Sequence, residues 1–181
     1  GFFHYGKCVD PASGMDPYVE LEGFLKRWPN SILVADQGGD LIGIRRLQAQ
    51  YPGRVFLVWY RADRKTQQLI KWGEKAEFGT VTADRNRLIQ LFIDEMTDKR
   101  VTFNGSPSEW HDYVVHWLNI YRTWEENSIG VREFKWERQG ADHWVHASIY
   151  ARIGLDRFAQ QKASVVGGDM FDGIPTARIW N

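Results

Sequence analysis

Two aspartates stand where carboxylates can do chemistry. Asp36 closes the apolar run "ILVADQGGD", and Asp142 opens "GADHWVHA". Carboxylates held at element boundaries can converge on hard cations such as Mg²⁺ or Mn²⁺, which prefer oxygen ligands. Two such ions roughly 3.5–4 Å apart would orient a water and stabilise both oxygens of a phosphodiester displacement. Each acid also has a plainer reading. An Asp after a strand is commonly a turn former, and an Asp before a helix is commonly its N-cap. Near them, Asp40 reads first as the N-cap of the following helix, and Asp10, in "VDPASG", reads as a loop residue. His143 sits in the first turn after Asp142, where a histidine is commonly partly exposed. His146 lies one helical turn from Asp142 and is expected to pack or hydrogen-bond within the helix.

The cations are concentrated in one stretch. Arg61, Arg64, Lys65 and Lys71 are the densest basic patch, and Arg45, Arg46, Arg85 and Arg87 add to it. Contacts from such side chains to phosphates are sequence-independent and weaken steeply with salt. Glu74 and Glu77 in the same stretch leave an ordinary ion-paired surface as the competing reading.

The elements that must carry these groups read as an α/β pattern. "FFHYGKCV" looks like a strand. Asp16-Pro17 is an N-cap with proline at the first helical position, and Leu21, Phe24, Leu25 and Trp28 give the helix an apolar face. "SILVAD" is a continuous apolar strand of the kind buried on both faces, "DLIGIRRLQAQY" is a helix, and "RVFLVWY" is a second buried strand. Strand–helix–strand order implies a sheet with a parallel portion. "QQLIKWGEKAEFGTVTAD" then predicts a β-hairpin, and Asp84 precedes a helix bearing Leu88, Leu91, Phe92 and Met96. Ser106-Pro107-Ser108-Glu109 is a capping box, expected to open one long aromatic helix through Trp110, Val114, Trp117, Tyr121 and Trp124. A polar stretch leads to Asp142 and a last helix, "HWVHASIYARIGLDRF". One domain over residues 1–158 and a loosely ordered or docking tail over 159–181 complete the expectation.

Composition narrows the class. The 181 residues are 43% hydrophobic and 25% charged, the range of folded globular chains rather than disordered ones. Nine Trp, seven Tyr and ten Phe predict an aromatic core. Lys+Arg and Asp+Glu balance at 23 each, so any nucleic-acid contact must come from a local basic face rather than a global field. The lone Cys8 has no internal disulfide partner, which fits a reducing compartment. No apolar run approaches the roughly 18–20 residues of a membrane span, and "GFFHYGK" lacks a signal-peptide core, so a cytoplasmic soluble protein is expected.

In order and spacing, "ILVADQGGD", "RVFLVWYRADRKTQQLIKW", "FGTVTADRNRLIQLFIDEM" and "GADHWVHASIYARIG" resemble the C-terminal nuclease domain of the large terminase subunit of tailed bacteriophages, over about residues 2 to 158. The resemblance implies a ribonuclease-H-like mixed sheet flanked by helices, with an added β-hairpin. It implies a metal-dependent endonuclease, binding two Mg²⁺ or Mn²⁺ ions and cutting concatemeric double-stranded viral DNA during packaging. Its partners would be double-stranded DNA, the portal protein and the small terminase subunit, in the host cytoplasm, with no membrane. Asp36 matches the acid of the second motif and Asp142 that of the third, with His143 beside it; Asp40 is the nearest spare carboxylate. Such domains begin with a strand bearing the first catalytic acid, whereas this chain enters near the third strand, so N-terminal strands are expected to be missing. No G-x-x-x-x-G-K-[ST], the loop of the family's motor domain, occurs in these 181 residues, so they are not expected to hydrolyse ATP by that mechanism.

Two other readings remain. A domain lacking one acid can bind DNA, a portal or another packaging subunit without cutting. A nucleotide or S-adenosylmethionine binder, methyltransferase-like, is suggested by strand, glycines and helix in "VADQGGDLIG". Gly38, Gly39 and Gly43 do not match G-x-G-x-x-G, however, and "RVFLVWY" does not end in a ribose-binding acid.

Overall fold

The structure, a computed structural model, describes residues 2–3, 14, 16–38, 40–61, 68–74, 79–126 and 130–165. It is α/β, with a mixed sheet flanked by helices. The described residues fall into two compact units. Those from Gly14 to Arg85, with Ile153–Phe158, make the first, and Asn86–Arg152, with Phe2–Phe3 and residues 159–165, belong to the second.

In the first unit, α1 (Pro17–Arg27) starts at Asp16, whose side chain accepts from the Tyr18 amide, with Pro17 at the first helical position. The strand β2 (Leu33–Asp36) leads into α2 (Leu41–Gln50), and β3 (Val55–Tyr60) follows. The strands β4 (Ile70–Trp72) and β5 (Thr80–Ala83) form the expected antiparallel pair, with Ile70 opposite Ala83 and Trp72 opposite Val81. The sheet order is β2-β3-β5-β4, with β2, β3 and β5 parallel.

Alternation along these strands builds two buried faces. Leu33, Ala35, Val55 and Leu57 meet Tyr18, Leu21 and Leu25 of α1 and Ile44 and Leu47 of α2. Phe56 points the other way and meets the Trp72 ring edge-on at 5.0 Å. The Arg157 guanidinium lies over both rings, and the Trp72 indole donates to Asp156 at 3.1 Å. Val55 to Val58 are all buried, so β3 is the two-sided strand its unbroken apolar run predicts, each large side chain contributing about 1.5–3 kcal/mol. Arg54 fastens α1 beneath the sheet by donating to the carbonyls of Leu25, Trp28 and Ser31 at 2.7–3.0 Å.

The second unit holds α3 (Arg85–Thr97, from Asn86 onward), β6 (Thr102–Phe103), a 3₁₀ turn (Pro107–Trp110) and α4 (His111–Leu118). Two seven-residue strands follow, β7 (Ile120–Glu126) and β8 (Arg132–Arg138), before α5 (His143–Val165), whose residues 153–158 belong to the first unit. Its core is aromatic. Trp110, Tyr113 and Trp144 are buried together, Phe103 meets Trp110 at 4.8 Å, and Phe92 stacks on Trp117 at 5.1 Å.

Three expectations are corrected here. The aromatic helix stops at Leu118 rather than running through Trp124. The Glu109 carboxylate does accept from the Ser106 amide at 2.9 Å, but it opens a 3₁₀ turn and a short helix. Ile120, Tyr121, Thr123 and Trp124 are β-formers, and cross-strand pairing with 132–138, read from sequence only as a polar stretch, makes both segments a hairpin. β1 (Phe2–Phe3) pairs in parallel with β6, not with the four-stranded sheet as a third strand would. The last helix continues past Phe158 to Val165.

Candidate functional site

The carboxyl ends of the parallel strands bring several of the expected residues to one edge. Asp36 is the last residue of β2, opposite Val58, and is exposed. Its Oδ1 accepts from the Gly38 amide at 2.9 Å, a local turn that leaves Oδ2 without a hydrogen bond among the described residues. Tyr60 of β3 pairs with Ala83, and the next amide, Arg61, donates to the Ala83 carbonyl at 2.9 Å. Arg85 follows β5 by two residues, and Lys71, exposed, lies one residue into antiparallel β4, whose Ile70 pairs with Ala83. Asp36 thus ends β2, Arg61 and Arg85 follow the ends of β3 and β5 by one and two residues, and Lys71 is the middle residue of β4, toward the same side of the sheet. With strands spaced about 4.8 Å apart, the three cations are borne roughly 5, 10 and 14 Å from the strand of Asp36. Carboxyl edges of this kind are where open α/β sheets bind ligands. Arg64 and Lys65 lie outside the described residues, as does Asp10.

Asp40 takes the plainer of its two roles. It is the N-cap of α2, and its Oδ1 accepts from the amides of Ile42 and Gly43 at 3.1 and 3.3 Å. The nearby glycines serve packing. A Cβ on Gly43 would overlap the Tyr18 ring, so this glycine lets α1 approach α2, while one on Gly38 would only touch the Asp36 carboxylate.

Asp142 belongs to the second unit and is in a different state. Its side chain is 2% exposed, and it meets Arg138 Nη1 at 3.4 Å and His146 Nε2 at 3.2 Å. Burial pushes the carboxyl up, but the His146 charge and the Arg138 contact outweigh it and hold the group below the usual carboxylate value. Its carbonyl accepts from Val145 and His146, starting α5. The Trp144 amide donates to His116 Nδ1 at 3.2 Å, so that ring nitrogen carries no proton. His143 is exposed, its ring 5.7 Å from that of His116.

Asp36 and Asp40 therefore share one unit, and Asp142, His143 and His146 the other. Among the described residues, no three His, Cys, Asp or Glu side chains gather as a metal site. Asp36 offers an exposed, hard oxygen donor, which suits a mostly hydrated Mg²⁺ or Mn²⁺ that takes its other ligands from water and phosphate. Arg138 and His116 were not legible in sequence as partners of the Asp142 turn, although Arg138 and Asp142 stand at the four-residue spacing of a paired couple. Comparison with family models, with curated proteins and with solved structures finds no match for this chain.

Proposed function

We propose that this protein is a metal-dependent nuclease domain of a viral DNA-packaging enzyme, with a ribonuclease-H-like sheet and double-stranded DNA as its substrate. One observation carries the reading: an exposed carboxylate, Asp36, at the carboxyl end of an edge strand, with Arg61 and Arg85 just past the ends of the next two strands and Lys71 within the fourth. Cations in a row suit a phosphate backbone, and the carboxylate beside them suits the hard cation that such chemistry employs. Bound there, Mg²⁺ or Mn²⁺ would supply an activated water and neutralise charge on the phosphoryl oxygens. Asp36 would hold the ion, with its Oδ1 oriented by the Gly38 amide. Arg61, Arg85 and Lys71 would fix the strand by its phosphates with little base specificity. A two-metal centre needs carboxylates beyond Asp36, and the Asp142 carboxylate is engaged by Arg138 and His146. The portal protein, the small terminase subunit and a host-cytoplasmic setting belong to this reading as proposed context.

The second reading is a packaging module that binds DNA or the portal without cutting. It is favoured by Asp142, which is already neutralised by Arg138 and His146. A plasmid-nicking assay in Mn²⁺ separates the two. Cleavage abolished by Asp36→Ala supports the nuclease. Cleavage that Asp36→Ala leaves intact removes Asp36 from the chemistry, and DNA retention without any cleavage favours the binding module.

A further inference from the structure

The hairpin β7–β8 sorts its side chains by face. Directly opposed residues of an antiparallel pair share a face, so Ile120/Arg138, Arg122/Trp136, Trp124/Phe134 and Glu126/Arg132 line one side. Tyr121/Glu137, Thr123/Lys135 and Glu125/Glu133 line the other. The first side carries three arginines against one glutamate, together with three aromatic rings. The second carries three glutamates against one lysine, and Lys135 is already held by Glu137 at 2.9 Å and Glu125 at 3.2 Å. Charge is thus segregated across a ribbon whose sum is neutral.

Toward the hairpin end, the cationic face is open. Trp124 is 62% exposed, an unusual position for the largest apolar side chain. The Arg122 guanidinium lies over its ring at 5.6 Å, and Phe134 meets it at 6.3 Å, nearly perpendicular. These two neighbours orient the indole while leaving most of it in solvent. Arg122 and Arg132 are both exposed, and neither has a carboxylate at ion-pair distance among the described residues. They stand one rung to either side of the Trp124/Phe134 pair, about 7 Å along the ribbon.

We propose that this face binds single-stranded nucleic acid, with an unpaired base stacked on Trp124 and phosphates held by Arg122 and Arg132. An indole flanked by unpaired guanidiniums matches the two features that such a strand exposes and a duplex interior hides, a π-face and flanking phosphates. A purely apolar partner would leave the arginines desolvated, and an acidic peptide would make no use of the oriented indole. The surface shares no residue with the Asp36 edge, and binding there does not depend on cleavage.

The test is fluorescence anisotropy of a labelled oligothymidylate on the full chain, in EDTA and low salt so that cutting plays no part. Trp124→Leu should weaken binding about tenfold, the effect of losing one stacked base, while Trp124→Phe stays within about twofold. Arg122→Gln and Arg132→Gln should each lower the slope of log affinity against log salt by about 0.7. Tyr121→Ala, on the acidic face, should leave affinity within about twofold, and all variants should melt as the wild type does. Equal loss in Trp124→Leu and Trp124→Phe would show that no stacking is involved. Tighter binding of a blunt duplex than of the single strand, or no binding of either, also overturns the proposal.

Discussion

Replacing Asp142 tests whether this acid is a structural anchor or a ligand awaiting metal. The buried carboxylate meets His146 at 3.2 Å and Arg138 at 3.4 Å. The Arg138 side chain is 66% exposed, so its share is screened and contributes less than about 1 kcal/mol. His146 is only 24% exposed, and a hydrogen bond to a charged group in such a place contributes about 1.5–3 kcal/mol. Asp142→Ala should therefore cost about 2–4 kcal/mol in urea unfolding at about pH 6, and Asp142→Asn, which keeps one acceptor, about half of that. The pH dependence has a defined sign. The folded-state value lies below the unfolded one, so the stabilisation is complete above about pH 4 and is lost as pH falls through the lowered value. The gap between wild type and Asp142→Asn should close below about pH 4. A ligand cluster empty of metal predicts the opposite, because removing one of several repelling carboxylates stabilises the fold. An Asp142→Asn protein as stable as wild type to within about 0.5 kcal/mol, or a gap that persists unchanged into acid, refutes the anchor.

Other outcomes follow from single contacts. Arg54→Ala strips three carbonyls at the end of α1 of their donor and should cost about 2–3 kcal/mol by urea titration, with Arg54→Lys recovering only part of it. Gly43→Ala pushes a methyl into the Tyr18 ring and should cost about 1–3 kcal/mol, a loss that Tyr18→Ala in the same chain should partly relieve. Millimolar Mn²⁺ should raise the melting temperature of the wild type but not of Asp36→Ala, and less so at acid pH; a melt indifferent to the ion would leave Asp36 without a metal role.

Much of the first unit was legible in residue order. Unbroken apolar runs mark β2 and β3, Asp16-Pro17 and Asp40 mark two helix starts, and two short β-like runs around the Gly/Lys/Glu turn of "QQLIKWGEKAEFGTVTAD" mark the β4–β5 pair. These signals are local, set by cap geometry and by which side chains avoid water. The placement of Asp36 at a strand end belongs with them, because the run of 32–36 ends there whatever surrounds it.

The second unit resisted because its signals are not local. The spacing of Trp110, Val114, Trp117, Tyr121 and Trp124 is helical, yet Tyr121 and Trp124 are strand residues, since pairing with 132–138 satisfies the backbone that a longer helix would otherwise have to. The state of Asp142 is likewise a tertiary result. Sequence shows an acid before a helix, but only the fold buries it and supplies Arg138 from the end of a strand that sequence did not reveal. The same pairing decides which face of the hairpin is cationic, because register alone determines which side chains meet. Composition and periodicity determined an α/β chain with an aromatic core and an acid at a strand end. Long-range pairing decided which charges are neutralised and which stay open to a partner, because only distance in space sets those energies.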